Sequence, residues 1–288
     1  MFSSTDYIIQ IIYIIFNYFK DLFDREDFLK NLEKQTKSLN INLNLIESSD
    51  EYETFTKAIK PKTLLSLSIA AHTVSNKSEK IEEKVFIQRN NEDPQTSLKF
   101  YGITVCLDTE KIDRKVHFLL FKKNKEFMKF VKKILEREDV IKILFFAKQH
   151  YKLIYEMFNF DIKLPCYDPI VADWLINQEN STIYQMKQKY SPNFNIPINY
   201  ELRKEKSCFG CTLVDVKSKD CGVSKVISRS ILECLLAINC FDRVKLQLQL
   251  QNLWIYYAKI ESEIVLIVAR IEIHGMGKLF KNLFFYRS

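Results

Sequence analysis

Glycine is scarce, with five in 288 residues, and none of them builds the glycine-rich loop that cradles a phosphate. No apolar run reaches the roughly 20 residues that a membrane span needs. The nearest is Tyr7 to Phe19, YIIQIIYIIFNYF, which is short and is interrupted by Gln10 and Asn17. The chain opens on MFSSTD, without the basic start and small-residue cleavage site of a secretory leader. The apolar stretch is therefore read as a packed or interface helix, and no membrane is expected. Internal repeats are absent, which removes repeat arrays. The four histidines are scattered, so no Ser-His-Asp or Cys-His arrangement can be read from their positions.

What is present describes a globular chain. Hydrophobic residues make up 47% and aromatics 13%, enough to bury one large core or two modest ones. A net charge of +7 permits an acidic partner such as nucleic acid. It does not demand one, because 43 basic residues lie among 36 acidic ones. Seven cysteines, an odd number without a secretory signal, point to reduced thiols in the cytosol or nucleus.

Periodicity organises the rest. Residues 1–44 look like a helical appendage, with the apolar stretch followed by a charged helix from Arg25 to Lys37. From Leu45 a compact pattern starts: a helix over Glu51 to Lys60, ended by Pro61, and a buried strand over Thr63 to Ala71, TLLSLSIAA. His72 to Ser97 is polar, carries Asn-Asn and Asp-Pro turn signals, and reads as an insertion loop. Phe100 to Leu107 and Lys115 to Phe121 are two further strands. Glu126 to Glu138 is a helix with Phe127, Phe130, Val131, Ile134 and Leu135 inward. Ile141 to Phe146 is a short apolar run of strand length, and from Tyr151 the apolar residues fall at helical spacing. Asp168 is suited to N-cap the next helix, with Pro169 in its first turn and Ile170, Val171, Trp174 and Leu175 as the buried face. Thr182 to Lys189 is a short helix. Residues 201–225 read as a loop, and Val223 to Trp254 is a long helix with Val226, Ile231, Leu235, Ile238, Val244 and Leu248 inward. Three strands followed by alternating helices and strands predict an α/β fold: a mixed sheet flanked by helices, in an order that suits a ribonuclease-H-like core, then a helical C-terminal segment.

Two stretches resemble a known family. One runs from TLLSLSIAA through YGITVCL to HYKLIYEMF and YDPIVADWLIN, and the other is WIYYAKIESEIVLIVARIEIHGMG. Together, from about Leu45 to Gly277, they resemble the exonuclease-like domain and the opening polymerase helices of family A DNA polymerases, closest to the theta/nu branch. The resemblance implies an exonuclease-like domain over 45–200 and the start of a polymerase domain over 226–288. It also implies a polymerase domain in cis, a nuclear location and a role in DNA repair such as end joining. The two palm aspartates and the fingers helix of that family do not occur, so this chain alone is not expected to polymerise. The final KLFKNLFFYRS leaves the family pattern, which suggests a truncated or alternatively spliced product.

Two-metal phosphodiester hydrolysis needs several carboxylates converging on divalent ions, for which magnesium or manganese would serve. In proofreading relatives the acids come as Asp-x-Glu on the first strand, an Asp on the middle helix and an Asp on a late helix. Here the first strand offers Ile69, Ala70, Ala71 and His72. The middle helix offers Tyr151 or Lys152, and the late helix offers only Glu233. No catalytic or metal residue is therefore expected, and no cofactor. The competing set is Asp108, Glu110, Asp168 and Glu233. Asp108-Thr109-Glu110 is a literal Asp-x-Glu, but it closes the second strand and reads as a solvated turn. Asp168 is explained by its helix cap, and Asp173 can equally face solvent. An active enzyme would digest DNA with Mg2+ or Mn2+.

Cys208-x-x-Cys211 with Cys221 looks like half of a zinc site, with Cys234 and His274 as fourth ligands only by accident of folding. Free thiols are the simpler reading. Lys122, Lys123, Lys125, Lys129, Lys132 and Lys133 line the side of a helix opposite its apolar stripe. They form either a solvated face or a backbone-binding face for DNA. The function expected is a degenerate exonuclease-like domain with a structural or DNA-binding role. The alternatives are an active 3′–5′ exonuclease, or an interaction module docking through Tyr7 to Phe19. The oligomeric state is not written in the sequence.

Overall fold

The computed structural model describes residues 30, 32–34, 37, 40–75, 96–121, 125–194 and 223–274. The apolar stretch Tyr7 to Phe19 and the Cys208, Cys211 and Cys221 group lie outside them. Six strands form one sheet in the order β1-β4-β3-β2-β5-β6. They are β1 (Asn42–Ile46), β2 (Leu64–Ser75), β3 (Thr96–Leu107), β4 (Lys115–Leu120), β5 (Ile141–Ile143) and β6 (Cys166–Tyr167). β2, β3 and β4 are antiparallel to their neighbours in turn, while β1 on β4, β5 on β2 and β6 on β5 are parallel. The helices are α1 (Ser49–Ala58), α2 (Lys125–Leu135), α3 (Ala147–Phe158), α4 (Pro169–Asn177), α5 (Ile183–Tyr190) and α6 (Val223–Leu250). A turn at Trp254–Tyr256 then passes through a π-helical stretch, Tyr257–Glu261, into α7 (Ser262–His274). The mixed, helix-flanked sheet is the fold class expected from the sequence.

Alternation along β2 builds the two faces of the core. Leu65, Leu67 and Ile69 point into one apolar cluster with Phe127, Val131, Tyr151 and Ile154 of α2 and α3. Ala70 faces the second cluster, where α6 supplies Ile227, Ile231, Leu235 and Ile238. Ser66 and Ser68, in phase with Ala70, meet α6 through hydrogen bonds. The long helix thus packs on the sheet as part of the same core. β3 and β4 approach closely at Gly102, where a Cβ would meet Phe118 Cζ at 2.7 Å and the backbone of Leu119 more closely still.

Several elements differ from the sequence expectation. β1, NLNLI, was hidden in the appendage because asparagine is poor in strands, and its pairing with β4 supplies what local preference does not. The run from Ile141 to Phe146 gives a strand of only Ile141–Ile143. Phe146 takes a left-handed conformation (φ 54°) and starts α3 at Ala147, one turn before Tyr151. α1 begins at Ser49 because Ser48 and Glu51 close a capping box. In α4, Ala172 and Asp173 are buried while Trp174, expected on the buried face, is 45% exposed.

Candidate functional site

In an open α/β sheet, ligands sit beyond the carboxyl ends of the parallel strands. Here that region lies where β2 and β5 separate. Their pairing ends at Ser66 opposite Ile143, and the next amides of β2 need other partners. His150 of α3 supplies one: the Ile69 N–H donates to its Nε2 at 3.2 Å. Its Nδ1 lies 3.3 Å from the Phe146 carbonyl oxygen. A backbone N–H can only donate and a carbonyl can only accept, so the proton sits on Nδ1 and the ring is neutral. Burial pushes its pKa down to about 4.

From the other face α6 lays a row of polar side chains against β2 and β3. Ser66 Oγ donates to the Cys234 carbonyl at 2.7 Å, and Ser68 Oγ donates to Glu233 Oε2 at 3.4 Å. Thr104 Oγ1 and Ser230 Oγ are 2.6 Å apart. The second oxygen of Glu233 accepts from Arg229 Nε at 2.9 Å, one helical turn earlier on α6. Ser66, Ser68, His150 and Glu233 are all within 1% of full burial. Burial also pushes the Cys234 thiol up to about 12, so it stays protonated.

This donor set does not fit a two-metal centre. Such a centre needs several carboxylates around the ions. Glu233 is the one carboxylate here with a described bond to β2, and a guanidinium already balances its charge. Among the described residues no group of three or more His, Cys, Asp or Glu is placed to hold a metal ion. The middle-helix residue that meets β2 is His150, where the sequence reading offered Tyr151 or Lys152. Tyr151 instead donates to Asp161 at 2.8 Å, and Lys152 pairs with Glu272 of α7. The left-handed turn at Phe146 that starts α3 is not revealed by periodicity.

The competing carboxylates are not brought together. Asp108 and Glu110 occupy a short 3₁₀ turn after β3. Glu110 pairs with Lys115 and His117, each at 2.8 Å, and Lys111 bridges Asp108 to Asp242 of α6. The turn is thus a half-buried ionic knot, where the sequence suggested a solvated one. Burial lowers the pKa of His117 against the pull of Glu110. Asp168 caps α4 by accepting from the Ile170 N–H at 2.9 Å, and its other oxygen accepts from the Ala147 N–H at 2.8 Å. The Tyr257 hydroxyl closes the same corner, accepting from the Asp168 N–H and donating to its carbonyl. Burial raises the Asp168 carboxyl to about 6, with the N–H bonds pulling the other way. β2 and β5 stand between β3 and β6, so three strand spacings, roughly 14 Å, separate Asp108 from Asp168. Two metals in one centre lie only about 4 Å apart.

Of the lysine row, Lys122, Lys123 and the side chain of Lys125 are outside the described residues. Lys129, Lys132 and Lys133 are exposed on α2, opposite Phe127, Val131 and Ile134. Lys132 lies near Glu136 (3.8 Å) and above the Phe160 ring (5.7 Å). Cys234 is buried in the β2–α6 contact, whereas His274 is exposed at the end of α7 and bonds the Arg270 carbonyl.

No protein-family model and no curated protein matches the chain. Solved structures do. The catalytic core of RRP6 from Trypanosoma brucei superposes with a TM-score of 0.52 and 9% identity, covering 78% of this chain and 52% of that one. RNase D from Escherichia coli, an exoribonuclease involved in structured RNA processing, gives 0.52 and 9% over 80% of this chain and 51% of that one. Brucella melitensis NrnC bound to pGG gives 0.51 and 9% over 82% and 95%. The chain therefore spans about half the length of the RRP6 and RNase D chains. At such identities the likeness concerns the fold, and this chain has the ribonuclease-H-like fold of the 3′–5′ exonucleases.

Proposed function

We propose that this chain is a 3′–5′ exonuclease-fold domain that does not cleave nucleic acid and serves as a structural, nucleic-acid-binding platform. The observation that carries this reading is the make-up of the β2 centre. Serines stand on the strand, a neutral histidine on α3, and on α6 a single carboxylate neutralised by Arg229. Hydrolysis would need hard oxygen ligands for magnesium or manganese, and those positions hold hydroxyls and an imidazole that are already bonded to protein. A 3′-extended single strand of RNA or DNA, incubated with the chain in Mg2+ or Mn2+, is expected to keep its length. Metal-dependent shortening that disappears in Glu233→Gln would overturn the reading. Shortening that disappears in Glu110→Ala would restore the Asp108, Glu110 and Asp168 set.

Binding would run through phosphate contacts of Lys129, Lys132 and Lys133, supported by their exposure on one side of α2 and the net charge of +7. Such binding is weak, indifferent to sequence and steeply salt-dependent. Replacing the three lysines with alanine is expected to flatten the slope of log affinity against log salt by about 2 to 3. An unchanged slope in a filter-binding titration, or no binding at low salt, would count against this surface. The narrower placement, within a theta/nu-like family A DNA polymerase acting in nuclear DNA repair, has the motif order in the sequence as its support. The platform reading holds with or without it.

A further inference from the structure

Helix α7 is apolar on two opposite sides. One side packs on α3 through Leu266 and Ala269, which are buried. Ionic contacts fasten it there: Lys148 and Lys152 hold Glu272, each at 2.9 Å, and Arg270 holds Asp161 and the Tyr151 hydroxyl. The other side carries Ile264, Ile267 and Ile271, continued back to Ile260, all still 36–50% exposed. Ile255 and Tyr256, 63% and 60% exposed, extend the apolar surface at its start. Spacings of four, three and four are those of the d and a positions of a seven-residue repeat, the seam along which two helices pair. On that seam Glu263 and Arg270 both fall at g, on one flank, while Glu261 and Val268 fall at e, on the other. Glu263 is exposed, and Arg270 keeps 43% of its side chain in solvent while it holds Asp161.

We propose that α7 pairs antiparallel with α7 of a second copy of this chain, across a two-fold axis. The axis stands normal to the plane of the two helices, so each flank meets the same flank of its partner: a packs on d, and g faces g. Ile264 then lies against the partner's Ile267, and Ile260 against the partner's Ile271. Symmetry repeats both contacts, so one register gives four layers of isoleucine on isoleucine. The same register brings Glu263 to the partner's Arg270, again twice. A parallel pair would set Glu263 beside the partner's Val268 and leave it without a cation. Charge therefore selects the antiparallel arrangement. The seam points about half a turn away from Leu266 and Ala269, so the two sheets stand on the outside of the pair. Area also suits a second copy. The six exposed apolar side chains offer roughly 500 Å² a side, about 1,000 Å² for the pair, which is the lower bound for a specific interface. A pair held by so small a surface is reversible and forms as the concentration rises.

Sedimentation velocity of the full chain over roughly 1 to 200 μM tests this. The mass is expected to climb from that of one chain, 34.2 kDa, towards twice that value. Ile264→Asp/Ile267→Asp should stay monomeric throughout, with an unchanged urea midpoint because both side chains are exposed. Glu263→Arg sets like charges together on both symmetry-related flanks and should raise the dissociation constant at least about threefold. It stands at an exposed position, so it probes the interface even where the double variant does not fold. Register is read separately, by cysteine replacement under mild oxidation. A mixture of Ile264→Cys and Ile267→Cys should give several-fold more disulfide between subunits than either variant alone, mapped by peptide mass. A wild type that stays monomeric would overturn the proposal and leave the stripe to another occupant. So would a dimer that survives the isoleucine changes. Links formed best within Ile264→Cys alone would overturn the antiparallel register.

Discussion

Replacing Asp173 with alanine is expected to destabilise the fold by about 3–5 kcal/mol, read as a lowered urea midpoint at unchanged slope. The carboxylate has no exposure to solvent. Its Oδ1 accepts from the Tyr190 hydroxyl and from Asn177 Nδ2, each at 2.6 Å. Its Oδ2 accepts from Ser181 Oγ and lies 3.3 Å from Lys189 Nζ. Removing it leaves these donors aimed at an empty volume, and a buried donor without a partner loses its full desolvation penalty. Burial, reinforced by this carboxylate, holds the Tyr190 phenol well above its ordinary range, so it remains a donor. Lys189 is partly exposed and its share is correspondingly small. Asp173→Asn keeps the volume and one acceptor, and the hydroxyls of Ser181 and Tyr190 can turn to accept from the amide. It is expected to cost about half as much. A loss below about 1 kcal/mol for the alanine variant would show that the cage does not hold α4 to α5.

The same residue shows where sequence reading reached and where it stopped. Apolar spacing located β2, β3, β4 and the inward face of α6, because those positions answer to burial alone and burial repeats with the period of the element. Val226, Ile231, Leu235, Ile238, Val244 and Leu248 are all within 1% of full burial. In α4 the same rule placed Trp174 inward and left the side of Asp173 open. The helix is rotated the other way because Asn177, Ser181, Lys189 and Tyr190 converge on Asp173 from α4, the following loop and α5. A cage drawn from three elements leaves no periodic trace.

The β2 centre follows the same division. That the first strand carries no acid is plain in TLLSLSIAA. That Ser66 and Ser68 are the residues turned toward α6, and that His150 reaches Ile69, depends on the strand phase and on the left-handed Phe146. Glu233 was legible as the carboxylate that the late helix offers. Its partner Arg229 stands one turn away in the same helix.

His150 and Asp168, both buried near the start of α3, are expected to give opposite pH dependences that nearly cancel. A histidine whose folded pKa is about 4, against 6.5 when unfolded, contributes stability that is fully present above pH 6.5 and is lost as pH falls toward 4. A carboxyl whose folded pKa is about 6, against 3.8 when unfolded, contributes stability that is present below about pH 4 and is lost as pH rises through 6. Each shift corresponds to about 3 kcal/mol across its window. Between pH 4.5 and 6.5 the two terms run against each other, so the pair adds little net slope in the wild type. The acidic groups on α7 and its partner loop act lower. Glu272 and Asp161 have lowered pKa values against opposing burial, through Lys148, Lys152, Arg270 and Tyr151. Their contributions are lost only as pH falls below about 4.5. His150→Gln keeps an oxygen to accept from the Ile69 N–H and removes the titration. Its stability, measured by urea melts from pH 4.5 to 7, should therefore rise on acidification by about 2 kcal/mol relative to wild type. Parallel profiles for the two proteins would mean that the imidazole titrates as freely folded as unfolded. The neutral bond from Ile69 to His150 would then not be what holds the imidazole against β2.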